Sequence, residues 1–146
     1  MRIASLWAAA LIGAAAAAST PQVEIDHAWA RATVPGASNG AAFMTLTARG
    51  EGDQLVGASS PVADRVDVHS SVMNNGVMEM RPVDVIDVVP GKPARLAPGG
   101  LHLMLMGLKR PLVEGSTFPV TMNFRKSGAI TVNVKVAGMG AKTAPN

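Results

Sequence analysis

The chain contains no cysteine and no tyrosine, and aromatic residues make up 3% of its 146 positions. Without thiolates there can be no zinc finger, iron–sulfur cluster, blue-copper centre or thioredoxin-type exchange. Nor is there a disulfide framework, so burial of apolar side chains must supply the stability. A strong charge is also missing: the formal net charge is +3, and Arg2 accounts for one unit of it. The basic residues are scattered, with no run of five or six and almost no aromatics between them. A nucleic-acid interface is therefore not expected.

Long apolar runs are scarce too. Arg2 precedes an apolar stretch from Ile3 to Ala18 that closes on small residues, Ala14 to Ser19. A basic start, a short apolar stretch and an Ala-x-Ala pattern describe a signal peptide, here residues 1–18, removed on export. The alternative, a membrane anchor, needs ~20 strongly apolar residues, whereas this stretch is short and largely alanine. No stable membrane insertion is expected once it is removed.

What the chain does hold is methionine, nine residues in all, five of them between Met73 and Met106. Met44 and Met122 sit among apolar neighbours and read as core filler. Residues 19–137 read as one domain of short strands with Gly/Pro punctuation: 23–33, 41–48, 54–60, 63–71, 77–89, 94–97, 101–108, 116–124 and 129–137. Such a pattern without a convincing helix predicts an all-β fold, a Greek-key β-sandwich of immunoglobulin-like or cupredoxin-like type. Residues 138–146 are expected to form a disordered tail.

The stretch Gly99 to Leu108 alternates with period two. On a strand, Leu101, Leu103 and Leu105 share one side, and His102, Met104 and Met106 the other. His102 and Met104 then stand roughly 6–7 Å apart along a strand rising ~3.3 Å per residue. In residues 64–69, Asp67 and His69 likewise share a face opposite Val66 and Val68. Asn74-Asn75-Gly76 is a hairpin signal, because Asn and Gly tolerate positive φ. With Asn74-Asn75 as the turn pair, His69 lies across from Met80; with Asn75-Gly76, it faces Pro82 and Met80 becomes its diagonal neighbour. In both registers His69, Met78 and Met80 emerge on one face.

If the fold brings these strands together, His69, Met80, His102 and Met104 make a two-imidazole, two-thioether site. Thioethers are soft neutral ligands that favour Cu(I), whereas zinc, magnesium and calcium prefer thiolate, imidazole or oxygen. Each piece also has a plainer reading. Any one of these methionines could fill a loose core, Met73 beside the turn reads as incidental, and His27 as uninvolved. Met78 and Met106 share the ligand faces without an assigned role. Asp67 reads more readily as a solvated carboxylate than as a partner behind a ligating imidazole. Ser70 and Ser71 have no G-x-S-x-G context to make them nucleophiles, so no enzymatic constellation is found.

The spacing His69, ten residues, Met80, twenty-one residues, His102, one residue, Met104 resembles the H-x10-M-x21-H-x-M signature of the periplasmic copper chaperones called PCu(A)C. The likeness extends to Ala28-Trp29-Ala30-Arg31, Asp53-Gln54-Leu55, Pro98-Gly99-Gly100 and the region from Gly115 to Phe124. The resemblance implies a cupredoxin-like β-barrel or sandwich that holds one Cu(I) per chain near its surface through those four residues. It implies a periplasmic monomer that delivers copper to the binuclear site of cytochrome c oxidase subunit II or to another periplasmic copper protein. A thioredoxin-like copper chaperone would often act alongside it. Some relatives add a His/Met-rich C-terminal extension for Cu(II); here the tail has Met139 and no histidine, so no second site is carried over. Two other classes compete: a metal-free periplasmic adhesion or assembly module, and, with less in its favour, a copper redox enzyme.

Overall fold

The computed structural model describes residues 23–145, so the segment read as a signal peptide lies outside it. Ten strands run in order: β1 (Val23–Arg31), β2 (Asn39–Ala48), β3 (Asp53–Ser59), β4 (Ala63–Asn74), β5 (Val77–Pro82), β6 (Ile86–Val88), β7 (Ala94–Leu96), β8 (Leu101–Leu108), β9 (Thr117–Phe124) and β10 (Gly128–Ala137). No helix occurs among the described residues.

Alternation decides which side of each strand is inside. On β9, Phe118, Val120, Met122 and Phe124 are buried while the residues between them are not. Val66 and Val68 on β4, Leu103 and Leu105 on β8, and Val134 and Val136 on β10 repeat the pattern. These residues belong to one continuous core that also takes in Met44, Leu46 and Leu55. Fully burying such a side chain is worth about 1.5–3 kcal/mol, which replaces the covalent ties that the chain lacks.

The fold is all-β as expected, and its strands form a single sheet that closes on itself, the barrel form of the two that the resemblance implies. From β4 it passes to β8, β2, β1, β10, β9 and β3, and Ala58↔Val66 returns it to β4. The cause is β3, which pairs with both β9 and β4 and so leaves no seam between layers. β1 and β10 pair in parallel; β1–β2, β9–β10 and β4–β8 are antiparallel. The stretch 77–89, expected as one strand, splits into β5 and β6 because its halves have different partners, β4 and β3.

Two features bear on the site. β4 is twelve residues long, and its second half projects with β5 as a two-stranded ribbon on which no β5 residue is buried. Beyond Ala137, part of the described segment lies against the barrel. Ala141 and Ala144 pack on the small cluster of Trp29, Phe43 and Ala137, and Arg31 Nε donates to the Ala141 carbonyl at 2.8 Å. A strip of outward-facing aromatic surface is what draws this alanine-rich segment down.

Candidate metal centre

The β4–β5 ribbon turns through Asn75 and Gly76, both at positive φ (50° and 80°), which is the geometry of a type I′ hairpin. Asn74 pairs with Val77, Ser71 with Met80 and His69 with Pro82. This is the second of the two registers left open by the sequence. In a two-residue hairpin the pair flanking the turn is hydrogen-bonded and pairs alternate from there. His69↔Pro82 therefore falls on a non-hydrogen-bonded position, the only kind that proline, lacking an N–H, can occupy. Val83 N–H bonding to Val68 O at 2.9 Å fits the same phase.

On its other side β4 pairs with β8, and there His69 is directly opposite His102 and Asp67 opposite Met104. Cross-strand partners point to the same side of a sheet. His69, Met80, His102 and Met104 thus share the outward face across three adjacent strands, β5, β4 and β8. The imidazole rings lie 6.0 Å apart, centroid to centroid, nearly edge to face at 76°.

Burial grades across this group. His102 is only 4% exposed, His69 and Met104 are half-buried, and Met80 is 57% exposed. Behind His102 stands Phe43 at 6.4 Å, itself packed on Trp29 at 4.7 Å, with the Arg31 guanidinium 5.6 Å over the Phe43 ring. No local pattern places Phe43 here, because that contact depends on the β2–β8 pairing.

The protons can be placed on one ring. His102 Nδ1 lies 3.0 Å from the Gly100 carbonyl oxygen. A carbonyl only accepts, so Nδ1 carries the hydrogen, and a neutral ring then keeps its lone pair on Nε2. That Nε2 is buried without a hydrogen-bond partner, and so is Nδ1 of His69. An unpaired buried polar atom costs about 1–3 kcal/mol, so two on facing rings mark a place where the fold gives up stability. Pro98-Gly99-Gly100, read from the sequence as a lead-in to the strand, supplies the carbonyl that sets the tautomer.

The remaining candidates fall elsewhere. Met106 is half-buried opposite Arg65, whose Nε is bonded to Asp67 at 2.8 Å. Asp67 is thereby engaged away from both imidazoles. Met78 and Met73 form a cross-strand pair nearer the turn. His27, at positive φ, occupies an irregularity of β1 between Asp26 and Trp29. Met44 and Met122 are in the core. Among the described residues no three His, Asp or Glu side chains come together as a metal site, so a hard-ligand cluster is not part of the picture.

Comparison with known proteins gives this face a context. Residues 23–136 match the LpqE-like lipoprotein family. Lxx21020 of Leifsonia xyli subsp. xyli, which is named as a lipoprotein, is 37% identical over 116 residues, covering 78% of this chain and 69% of that protein. The solution structure of the Cu(I) form of DR1885 from Deinococcus radiodurans is 34% identical with a TM-score of 0.59, over 84% of this chain and 83% of that one. The copper-bound PCuAC domain of PmoF2 superposes with a TM-score of 0.68 over 80% of this chain and 93% of that one. At 24% identity, that second likeness speaks for the fold.

Proposed function

The chain belongs to the LpqE-like family, and from that premise we propose that it is a Cu(I) carrier. It holds one Cu(I) per chain between His69, Met80, His102 and Met104 and passes it on by ligand exchange. The observation that supports this most is the pair of buried, unpartnered ring nitrogens, His69 Nδ1 and His102 Nε2, on directly opposed residues. The copper-bound forms of the similar domains point the same way.

The chemistry of the donor set suits the cargo. Two neutral imidazoles and two neutral thioethers are soft enough for Cu(I) and offer nothing attractive to magnesium or calcium. The Gly100 carbonyl holds the His102 ring with its free nitrogen available, so no proton has to leave that ring when the metal arrives. The graded burial suits delivery: Met80 is the exposed ligand and the first that a recipient's donor atom can displace, while His102 is the last. No nucleophile or general base is required, and the role is not enzymatic.

The finer assignment follows the family resemblance. We take the closed barrel as cupredoxin-like, residues 1–18 as the signal that exports the chain, and the periplasm as its place of work. The recipient is then the binuclear copper site of cytochrome c oxidase subunit II or another periplasmic copper protein, with a thioredoxin-like copper chaperone as a companion.

The test is the double variant M80L/M104L. Leucine keeps the volume and removes the sulfur, so the thermal midpoint stays near wild type. In an anaerobic competition titration the Cu(I) affinity falls by more than the roughly 10–100-fold that losing a partner behind a ligand costs. Undiminished affinity in a folded double variant overturns the assignment.

A further inference from the structure

The β4–β5 ribbon carries more sulfur than the site above uses. Met73 pairs directly with Met78, and Met80 follows two residues along β5 on the same face. Their exposures are 65%, 54% and 57%. By the alternation of the hairpin, Met73↔Met78 is a non-hydrogen-bonded pair, the kind in which Cα atoms approach to about 4.5 Å and side chains are closest. Met78 and Met80 are about 6–7 Å apart along the strand. Every apolar side chain on this face between the turn and the Ser71↔Met80 pair is a methionine. The opposite face carries Val77, Val72 and a polar set in which Arg81 and Asn74 both bond to Glu79. Leucine or valine would give the same apolar cover without sulfur, whereas three thioethers within reach of one another are also three soft, neutral ligands.

The geometry points to Met73 and Met78, together with Met80, as a thioether-only capture site for a soft monovalent cation at the tip of the ribbon. Cu(I) taken up there moves inward by ligand exchange: Met80 is common to both sets, and the thioethers of Met73 and Met78 leave as His69, His102 and Met104 arrive. The copper remains Cu(I) throughout, and no redox partner is needed. This inference rests on the carrier reading and adds an entry route to it. The capture site has three exposed, neutral ligands and no imidazole, so it binds more weakly than the site it feeds.

The experiment uses the full chain labelled with 13C-methyl methionine, titrated anaerobically with Cu(I) and, in parallel, with Ag(I) as a non-oxidisable probe. The first equivalent shifts the methyl resonances of Met80 and Met104. A second equivalent, held more weakly because Met80 is already engaged and only the thioethers of Met73 and Met78 remain, shifts the resonances of those two. In M73L/M78L the surface stays apolar, the first equivalent binds with wild-type affinity, the second is lost, and loading from a Cu(I)–chelator complex becomes slower. Met73 and Met78 resonances that stay still beyond one equivalent, or a double variant that loads at the wild-type rate, overturn the capture site and leave the carrier intact. Absence of the Met80 and Met104 shifts at the first equivalent overturns the carrier reading instead.

Discussion

Asp53 offers a sharp test of how the barrel is held together. It opens β3, is buried, and uses both oxygens. Oδ1 accepts from the backbone N–H of Gln54 and of Lys126, each at 2.8 Å, and Oδ2 accepts from Ser127 N–H at 2.7 Å. One carboxylate thus ties the start of β3 to the turn between β9 and β10. Burial alone would push its pKa up. The Ser127 side chain and the N–H groups of Lys126, Gln54 and Ser127 outweigh that and hold it below the ordinary 3.8. In D53N the amide oxygen can keep the two bonds at the Oδ1 position, but the NH2 then confronts Ser127 N–H, donor against donor. The loss of one bond to a charged acceptor costs about 1.5–3 kcal/mol. D53A removes both acceptor oxygens and with them all three backbone bonds, and is expected to cost about 3–5 kcal/mol, near the upper end for single substitutions.

The pH dependence carries the sign. Because the folded pKa lies below the unfolded one, the stabilisation is complete above the unfolded value and disappears as the pH falls through the folded value. Urea unfolding of wild type and D53N across a pH series should therefore show a full gap at neutral pH that closes at strongly acid pH, below about 3.8. Neither variant touches the His/Met face, so Cu(I) affinity at neutral pH should stay at the wild-type level under folding conditions. A gap below about 0.5 kcal/mol at neutral pH, the range of ordinary surface substitutions, refutes the reasoning. A gap that persists unchanged into acid refutes it as well.

Two further outcomes concern the ribbon. A Cβ on Gly76 would meet nothing within 4 Å, but the residue sits at φ +80°. G76A should therefore cost only the backbone term of about 1–2 kcal/mol. That loss falls on the ribbon: amide exchange in β5 accelerates and Cu(I) affinity drops, while the global midpoint moves little; a collapse of the whole fold speaks against a ribbon held by β4 alone. Under mild peroxide, Met73, Met78 and Met80 should become sulfoxides before the buried Met44 and Met122, as read by peptide mass spectrometry. Cu(I) competence should disappear in step with oxidation of Met80, and prior Cu(I) loading should protect it.

The local half of the site is legible in the chain, and the non-local half is not, for identifiable reasons. Period two in β8 separates Leu103 and Leu105, which enter the core, from His102 and Met104 on the other face, although His102 is itself buried there, beside Phe43. The hairpin is legible to within one residue, and Pro82 could have settled even that, since its missing N–H suits only the register that puts it across from His69. What no local pattern reports is which strand lies on the far side of β4. His69↔His102 exists because β8 fits between β4 and β2, and β4 is held there by the closure through β3. The contacts of Ala141 and Ala144 are equally non-local: Trp29 and Phe43 become adjacent only when β1 and β2 pair, and the aromatic strip on which those alanines pack is formed by that pairing. A carrier built this way separates two demands. The proposed ligands lie on the outward face, graded from exposed Met80 to buried His102, while Val68 on β4 and Leu103 on β8 anchor their strands in the core. A core substitution such as Leu103→Ala should therefore disturb the site through geometry alone, whereas a ligand substitution leaves the barrel standing.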